Sequence, residues 1–402
     1  MKEEQHPIDR CIACSTCVVY CPVVEASRQY RGPKITGPTE ERFRRIGSVE
    51  DPFLSLCSNC RNCDISCPAG VPVGTVNMLA KGEHCRLHRP PLRDWILAHG
   101  EWMAVLARPF APIANWVLQN RPIRRILQGV GISAAAPMPN YVFRSFRQWF
   151  RWRRKKESEK KVVFFPGCYI DSNDPKAGED LVWLLEHHGW QVIVPEGLHC
   201  CGTPIVSNGF LAEAGLRAAS NVRALLPYAR AGMPILTACT SCGLMLRREY
   251  HELFPSAEVD EVAAAAWDAG EFLVELQRRG EFAPGENPVS EVLAYHAPCH
   301  LRAQGIGKPG LELLEMIPGL RLVDTDAGCC GIAGSYGFKA DRYAIGLQVG
   351  QELFKAVRES GAGRVVSECG TCRLQITHAT GATSLHPLSV LRESFIDTAG
   401  KS

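Results

Sequence analysis

Over residues 161–396, short apolar runs alternate with longer stretches whose apolar positions recur at helical spacing. KVVFFPGC (161–168) and EVLAYHAPC (291–299) are rich in β-formers, and each ends on a cysteine. QVIVPE (191–196) and RLVDTD (321–326) each precede a Cys-Cys-Gly, and PILTACTSC (234–242) and RVVSECGTC (364–372) each end in a C-x2-C pair. Among them, EDLVWLLEHHG (179–189) and LQVGQELFKAVRESG (347–361) read as helices. Such alternation predicts two α/β units on small parallel sheets, with cysteines at the C-terminal ends of the strands, where open α/β sheets place their sites. The units are an internal repeat: Cys168 to Cys299 is 131 positions, Cys200 to Cys329 is 129, and Cys239 to Cys369 is 130.

Elsewhere the pattern changes. Residues 86–160 mingle aromatic, proline and basic residues, as in EWMAVLARPFAPIANWVLQNRPIRRILQGVG (101–131), and read as a helical connector. Residues 256–288, ending in APGENP, read as a second connector, partly helical. The expected division is 1–85, a cysteine domain; 86–160, the basic, aromatic connector; 161–255, the first cysteine-rich unit; 256–288, the second connector; and 289–396, the second unit.

The chain has 402 residues, 46% hydrophobic and 22% charged, a globular balance sufficient for two or three domains. The net charge of +3 says little about partners. Nineteen cysteines, odd in number and clustered, argue against a secreted disulfide scaffold. The N-terminal MKEEQHPIDR has no apolar signal core, so a reducing cytoplasm is the expected home. No run of 18 uncharged apolar residues supports a spanning helix.

CIACSTCVVYCP (11–22) and CSNCRNCDISCP (57–68) share the spacing C-x2-C-x2-C-x3-C-P. Thiolates are soft ligands that suit iron–sulfur clusters, zinc or copper(I). This spacing is the bacterial ferredoxin run, whose fourth cysteine ligates the other cluster. It predicts two cubane [4Fe-4S] clusters with crossed ligation: Cys11, Cys14, Cys17 and Cys67 on one, Cys57, Cys60, Cys63 and Cys21 on the other. A zinc ribbon on C-x2-C pairs would leave the third cysteine and the Cys-Pro pair of each run unexplained. The 35 residues between Cys21 and Cys57 suggest helices around the clusters, an α-helical ferredoxin type.

Each repeat unit carries five thiols, one more than a cubane needs: Cys168, Cys200, Cys201, Cys239 and Cys242, then Cys299, Cys329, Cys330, Cys369 and Cys372. Adjacent cysteines send sulfurs along diverging vectors, which suits a large or irregular cluster; zinc or a dithiol/disulfide pair are the alternatives. Gly202 and Gly331 let backbone come close, and a helix starting just after each would favour an anionic thiolate group.

These residues resemble the cysteine-rich CCG repeat of the B-type polypeptides of heterodisulfide reductases. In that family the resemblance implies a non-cubane [4Fe-4S] cluster on all five cysteines of a complete unit, hence one or two such clusters here. Nearly the whole chain resembles more closely the C-subunit family of anaerobic glycerol-3-phosphate dehydrogenases. The strings CIACSTCVVYCPV, RGPKITGP, CSNCRNCDISCPAGVPVG, RPPLRDWILAHG, PFAPIAN, FRSFRQWFR, CCGTPIVSNGF, YHAPCH, CCGIAGSYGFK and HPLSVL carry the resemblance. The fold class expected is multidomain, α+β with α/β: a helical two-cluster ferredoxin-like domain, a helical connector and two repeated α/β CCG units.

The resemblance implies an electron-transfer subunit. Its partner would be a flavoprotein that oxidises sn-glycerol 3-phosphate. Its acceptor would be a membrane quinone, with menaquinone expected, and its place the cytoplasmic face of the inner membrane in anaerobic respiration. The alternatives are a glycolate or lactate dehydrogenase subunit, a heterodisulfide-cleaving catalytic subunit, or a zinc-binding interaction protein. No catalytic residue is assigned. No GxGxxG fingerprint follows a strand and no P-loop occurs, so no flavin or nucleotide site is assigned either.

Weaker signals remain. His199, His296 and His300 flank repeat cysteines and could tune a cluster, although a satisfied structural histidine is the commoner case. Cys85 reads as a small buried hydrophobe. In 141–156, Phe143, Phe146 and Phe150 recur at helical spacing beside Arg144, Arg147 and Arg151, with Trp149 and Trp152 adding aromatic mass. That helix suits either a membrane interface or docking on the protein's own domains. Nucleic acid is not an expected partner, because no recognition fold accompanies the charge.

Overall fold

A computed structural model describes residues 7–47 and 51–396. The expected absence of a signal core thus falls partly on residues outside the described ones, as does the start of the first expected domain.

The described part of 7–85 is helical without strands. Short helices Thr16–Val19, Pro22–Ala26 and Asn62–Ile65 carry the cysteine runs, and the longer helix Val73–Leu87 follows. Pro22 starts its helix, where its missing N–H costs nothing.

Eight strands form two parallel sheets. β1 (Lys161–Phe164), β2 (Gln191–Ile193), β3 (Ile235–Thr237) and β4 (Ala266–Asp268) lie in the order β2-β1-β3-β4. β5 (Val292–Tyr295), β6 (Arg321–Asp324), β7 (Arg364–Val366) and β8 (Thr383–Leu385) repeat that order as β6-β5-β7-β8. All pairings are parallel, with Val163 opposite Ile235 and Tyr295 opposite Val366 among them. The central strands are buried on both faces, so their residues read as continuous apolar runs.

Alternate residues of one strand serve different cores. Val162 and Phe164 join Leu293, Tyr295 and Val366 of the other sheet in a shared core between the units. Val163 and Phe165 face a core under the helix Leu211–Arg230. Ala294 and Val365 face the outer core of the second unit. The units therefore pack sheet face toward sheet face, with helices Pro175–His187, Ala269–Arg278, Pro309–Glu315 and Pro387–Glu393 contributing to the layer between.

One expectation needs correction, and one open alternative is resolved in part. Residues 256–288 are not a mere connector: they supply the helix Ala257–Ala265, then β4, then the helix Ala269–Arg278. Asp268 caps that last helix by accepting from the backbone of Gly270 and Glu271. Of the two alternatives for the aromatic helix Phe146–Trp152, docking on the protein's own domains holds for part of the stripe, while Phe143 before the helix and Trp152 at its end are exposed. Phe146 and Phe150 are buried in the core, with Phe146 edge-on to Phe164. A denser run of exposed apolar side chains lies earlier, on the helices Gly100–Ala107 and Ala111–Gln119 and the turn Arg108–Phe110 between them, where Trp102, Leu106, Phe110, Ile113 and Trp116 are each more than half exposed. Among the described residues, no helix is long and apolar enough to cross a membrane.

Candidate iron–sulfur sites

The two ferredoxin-type runs take the same backbone path. Ala13 and Ser15 have φ of 59° and 66°, and their counterparts Asn59 and Arg61 have 56° and 65°. Left-handed backbone costs a side-chain-bearing residue about 1–2 kcal/mol, so four such residues persist only where surroundings dictate them. The result curls each loop so that its sulfurs converge. A lysine pins each loop. Lys34 Nζ donates to Ala13 O at 3.0 Å and to Ser15 Oγ at 2.9 Å, and Lys81 Nζ donates to Cys57 O at 2.6 Å and Asn59 Oδ1 at 3.3 Å.

Cys11, Cys14, Cys17 and Cys67 line one small recess, with Lys34 at its side. Burial, then the neighbouring Cys11, Cys67 and Cys14, pushes the Cys17 thiol up to about 11. Cys21 packs against Cys57 in a small core with Tyr30 and Leu56, and burial raises its thiol to about 12. Burial raises Cys60 and Cys63 as well, with Cys57 adding to both. Cys63 also packs beside Cys11, Cys17 and Cys67, where the two groups meet.

Each repeat unit gathers its five cysteines in one order. In the first, Cys168 lies 3.4 Å from Cys200 between sulfurs, and contacts continue through Cys201 and Cys242 to Cys239. In the second, contacts run from Cys299 through Cys329, Cys330 and Cys372 to Cys369, with Cys330 and Cys372 sulfurs 3.0 Å apart. These separations exceed the ~2.05 Å of a disulfide, and all nineteen thiols are free. Gly167, at φ 65°, is required: a Cβ there would sit 2.7 Å from Cys242 Sγ. The helix expected after Cys-Cys-Gly exists only in the first unit, as Thr203–Ser207. In the second, Gly331 instead donates its N–H to Cys329 Sγ at 3.4 Å.

The groups are contiguous. Cys60 packs directly against Cys299 and Cys329. Tyr169, next to Cys168, donates to Gly370 O inside the other unit's C-x2-C loop at 3.1 Å. His300, at the same repeat position beside Cys299, reaches the first unit's C-x2-C loop. Its Nε2 lies 3.1 Å from Asn59 O, which only accepts, so Nε2 carries the proton and Nδ1 accepts from Ser241 Oγ at 2.9 Å. One imidazole thus ties together loops from three cysteine groups. His199 is satisfied by Arg217 at 3.2 Å. His296 is fully buried and held neutral by that burial, its pKa lowered to about 4. Cys85 is half-buried against Gly209.

The donor set fits iron–sulfur clusters. Crowding splits the buried sulfurs, raising thiols such as Cys17 and Cys299 and lowering others such as Cys201 and Cys329, and iron cations would take them as thiolate ligands and relieve their mutual repulsion. Sequence reasoning missed Lys34, Lys81, Asn59 and Ser241, whose roles depend on folded proximity. The repeated loop positions of Ala13 with Asn59 and Ser15 with Arg61 were the available signal, but neither pair shares a residue type.

Comparison with known proteins agrees with this reading. Residues 7–71 match the 4Fe-4S dicluster domain, and residues 162–247 and 293–377 each match the cysteine-rich CCG domain. The chain is 34% identical to the C subunit of anaerobic glycerol-3-phosphate dehydrogenase from Escherichia coli K12 over 391 residues, covering 96% of this chain and 98% of that protein. It is 28% identical to the B subunit of fumarate reductase (CoM/CoB) from Methanothermobacter marburgensis, across 95% of this chain and 70% of the relative. Lactate utilization protein A of Geobacillus kaustophilus matches at 31% over 54% of this chain and 90% of its own length. With a 4Fe-4S dicluster domain, two cysteine-rich domains and near-complete coverage, the chain belongs to the C-subunit family of anaerobic glycerol-3-phosphate dehydrogenases.

Proposed function

We propose that this chain carries electrons from a flavoprotein that oxidises sn-glycerol 3-phosphate to a membrane quinone, menaquinone being the expected one. Cys11, Cys14, Cys17 and Cys67 would hold one cubane, and Cys57, Cys60, Cys63 and Cys21 the other. The five cysteines of one or both CCG units would hold a non-cubane [4Fe-4S] cluster. Bound clusters supply one-electron carriers whose potentials follow burial and hydrogen bonds to sulfur. The residues of the chain do the rest. They exclude water, fix the sulfurs, and bring the groups into contact.

The observation that carries the reading is Cys60, packed against Cys299 and Cys329. It leaves no spacer between the ferredoxin-type loops and the second unit. At the other end, Cys14 is exposed beside the exposed side chains of Ile12, Val19 and Tyr20, a surface suited to a redox partner. Anaerobically purified protein is expected to contain iron and acid-labile sulfide for two cubanes and one or two further clusters, with EPR signals appearing stepwise on reductive titration. Near-zero iron with stoichiometric zinc would refute the redox reading. The lactate-utilization relative favours a second reading, a lactate or glycolate dehydrogenase subunit; recovery of the flavoprotein that co-purifies from native cells separates the two.

The same reading puts the complex at the cytoplasmic face of the inner membrane, held there peripherally. Trp102, Leu106, Phe110, Ile113 and Trp116 form an exposed apolar surface, and Arg121 and Arg125 are exposed beyond it. Aromatic and aliphatic side chains seated in the headgroup boundary, with arginines near anionic lipid, are the chemistry of an interfacial anchor. Burying one aromatic removes ~150 Å² or more from water, about 4 kcal/mol at full insertion. Trp102→Glu with Phe110→Glu is therefore expected to lower binding to anionic vesicles at least about tenfold, while iron content stays unchanged. Unaltered sedimentation with vesicles would remove this surface from the anchor.

A further inference from the structure

The two CCG units share one plan but differ at a position that faces the cysteines. His296 lies three residues before Cys299, and its counterpart three residues before Cys168 is Phe165. Both side chains are fully buried. A ring nitrogen of His296 and the sulfurs of Cys330 and Cys372 all lie within 4.8 Å of one another. Neither Nδ1 nor Nε2 has a hydrogen-bond partner among the described residues. The backbone N–H of His296 is fixed on Val366 O at 2.9 Å just after β5, and full burial of the side chain leaves the ring little room to turn.

An imidazole has one N–H and one lone pair when neutral, and a buried polar group left unsatisfied costs about 1–3 kcal/mol. A fully buried ring with both nitrogens unmatched, beside two thiols, points to a partner at those thiols. Arg302 adds an independent observation. Its Nε and Nη2 are also buried and unpartnered, and its charge lowers the pKa of Cys329 in the same unit. In the first unit the position corresponding to Arg302 is Asp171, whose carboxylate is occupied by the backbone of Arg147. The second unit thus carries unpartnered buried donors at two positions where the first unit has Phe165 and an occupied carboxylate.

We propose that His296 is a further cofactor-contacting residue. Its ring N–H donates to sulfur of the second-unit cluster at the Cys330–Cys372 edge, and the first unit has no counterpart. This rests on the reading that the second unit holds a cluster. A hydrogen bond to cluster sulfur favours the reduced, more negative form and so raises the potential. The second-unit cluster thus gains a donor that the first unit lacks, which shifts its potential upward.

The test combines labelling and substitution. In wild-type protein with 15N-histidine, pulsed EPR of the CCG signals is expected to show a weak nitrogen coupling that changes with the isotope. His296→Phe, which copies the first unit, is expected to abolish it. That variant should also lower the midpoint of one CCG signal enough to change its oxidised-to-reduced ratio at least tenfold, ~59 mV for one electron. His296→Gln, which keeps an N–H donor, is expected to restore part of the shift. Because the labelling needs no substitution, it decides the matter even where a variant folds poorly. An unshifted midpoint in His296→Phe at full iron content, with no isotope-sensitive coupling in wild type, overturns the proposal. A strong coupling typical of direct iron–nitrogen ligation also overturns the donor role. Iron and sulfide counts that leave no cluster for the second unit sink the parent reading instead, and are separately visible.

Discussion

Arg61→Ala is expected to destabilise the protein by about 3–5 kcal/mol, because it removes one cation from among three carboxylates. Arg61 is buried to 1% exposure, between Cys60 and Cys63. It pairs with Asp64 and Glu249 at 2.8 Å and with Glu252 at 3.1 Å, and it donates to Thr75 at 2.7 Å. The Asp64 and Glu249 side chains are only 2% and 3% exposed, so the variant strands two negative charges away from water. Arg248, which also reaches Asp64 at 3.4 Å and pairs with Glu252, offsets part of that loss. The network joins the ferredoxin-type loop to the helical segment after the first C-x2-C, so its loss is expected to loosen that docking. The midpoint of anaerobic chemical denaturation and limited proteolysis both report it.

Two further substitutions at Arg61 separate charge from backbone. Arg61→Lys keeps a charge but offers one ammonium where a planar fork served several oxygens, so it should fall between wild type and Arg61→Ala. Arg61→Gly relieves the left-handed backbone and should be less damaging than Arg61→Ala by about 1 kcal/mol. Burial alone would raise Glu252, but the charges of Arg61 and Arg248 outweigh it and hold its pKa below the usual carboxylate value. A folded pKa lowered in this way contributes stability above the unfolded pKa, and that contribution is lost as pH falls through the folded one. The gap between wild type and Arg61→Ala should therefore narrow in acid. An Arg61→Ala protein with the wild-type midpoint at neutral pH would show that the network does not hold the domains.

The cysteine groups and the parallel sheets were readable because their signals are local: ligand spacing, β-rich runs and a repeat near 130 residues. What was not readable depends on distance or on depth. Asn59 meets His300 across 241 positions, and Arg61 meets Glu249 across 188, with no pattern near either residue to announce it. β4 has three residues, Ala266–Asp268, and follows a run of alanines that reads as helix; only its place beside β3 makes it a strand. Phe146 and Phe150 form a stripe that period alone cannot assign to lipid or to core. The core won because Phe146 finds Phe150 and Phe164 around it.

The two Cys-Cys-Gly motifs are alike in sequence, yet their glycines are expected to respond very differently to one added methyl group. Gly202 has φ 97°, and a Cβ there would meet nothing nearer than Ala214 Cβ at 3.8 Å. Gly202→Ala therefore incurs only the left-handed backbone cost, about 1–2 kcal/mol. Gly331 has φ 82°, but its Cβ would lie 1.8 Å from Gly346 O and 2.7 Å from the carbonyl carbon of Gly346. Both obstacles are backbone, on the helix Tyr343–Val349, so no side chain can swing aside. The contact is reciprocal, since a Cβ on Gly346 would lie 2.7 Å from Gly331 O. Gly331→Ala must displace either that helix or the loop bearing Cys329 and Cys330. Overpacking adds about 1–3 kcal/mol to the backbone term, for a total near 2–5 kcal/mol. Because the displaced loop supplies two of the second unit's five thiols, iron per chain is expected to fall in Gly331→Ala and to stay at the wild-type level in Gly202→Ala. Iron counting beside denaturation midpoints reads both effects. Equal losses in the two variants would mean that the close approach of Gly331 and Gly346 does not constrain the site, and that left-handed backbone alone governs both motifs.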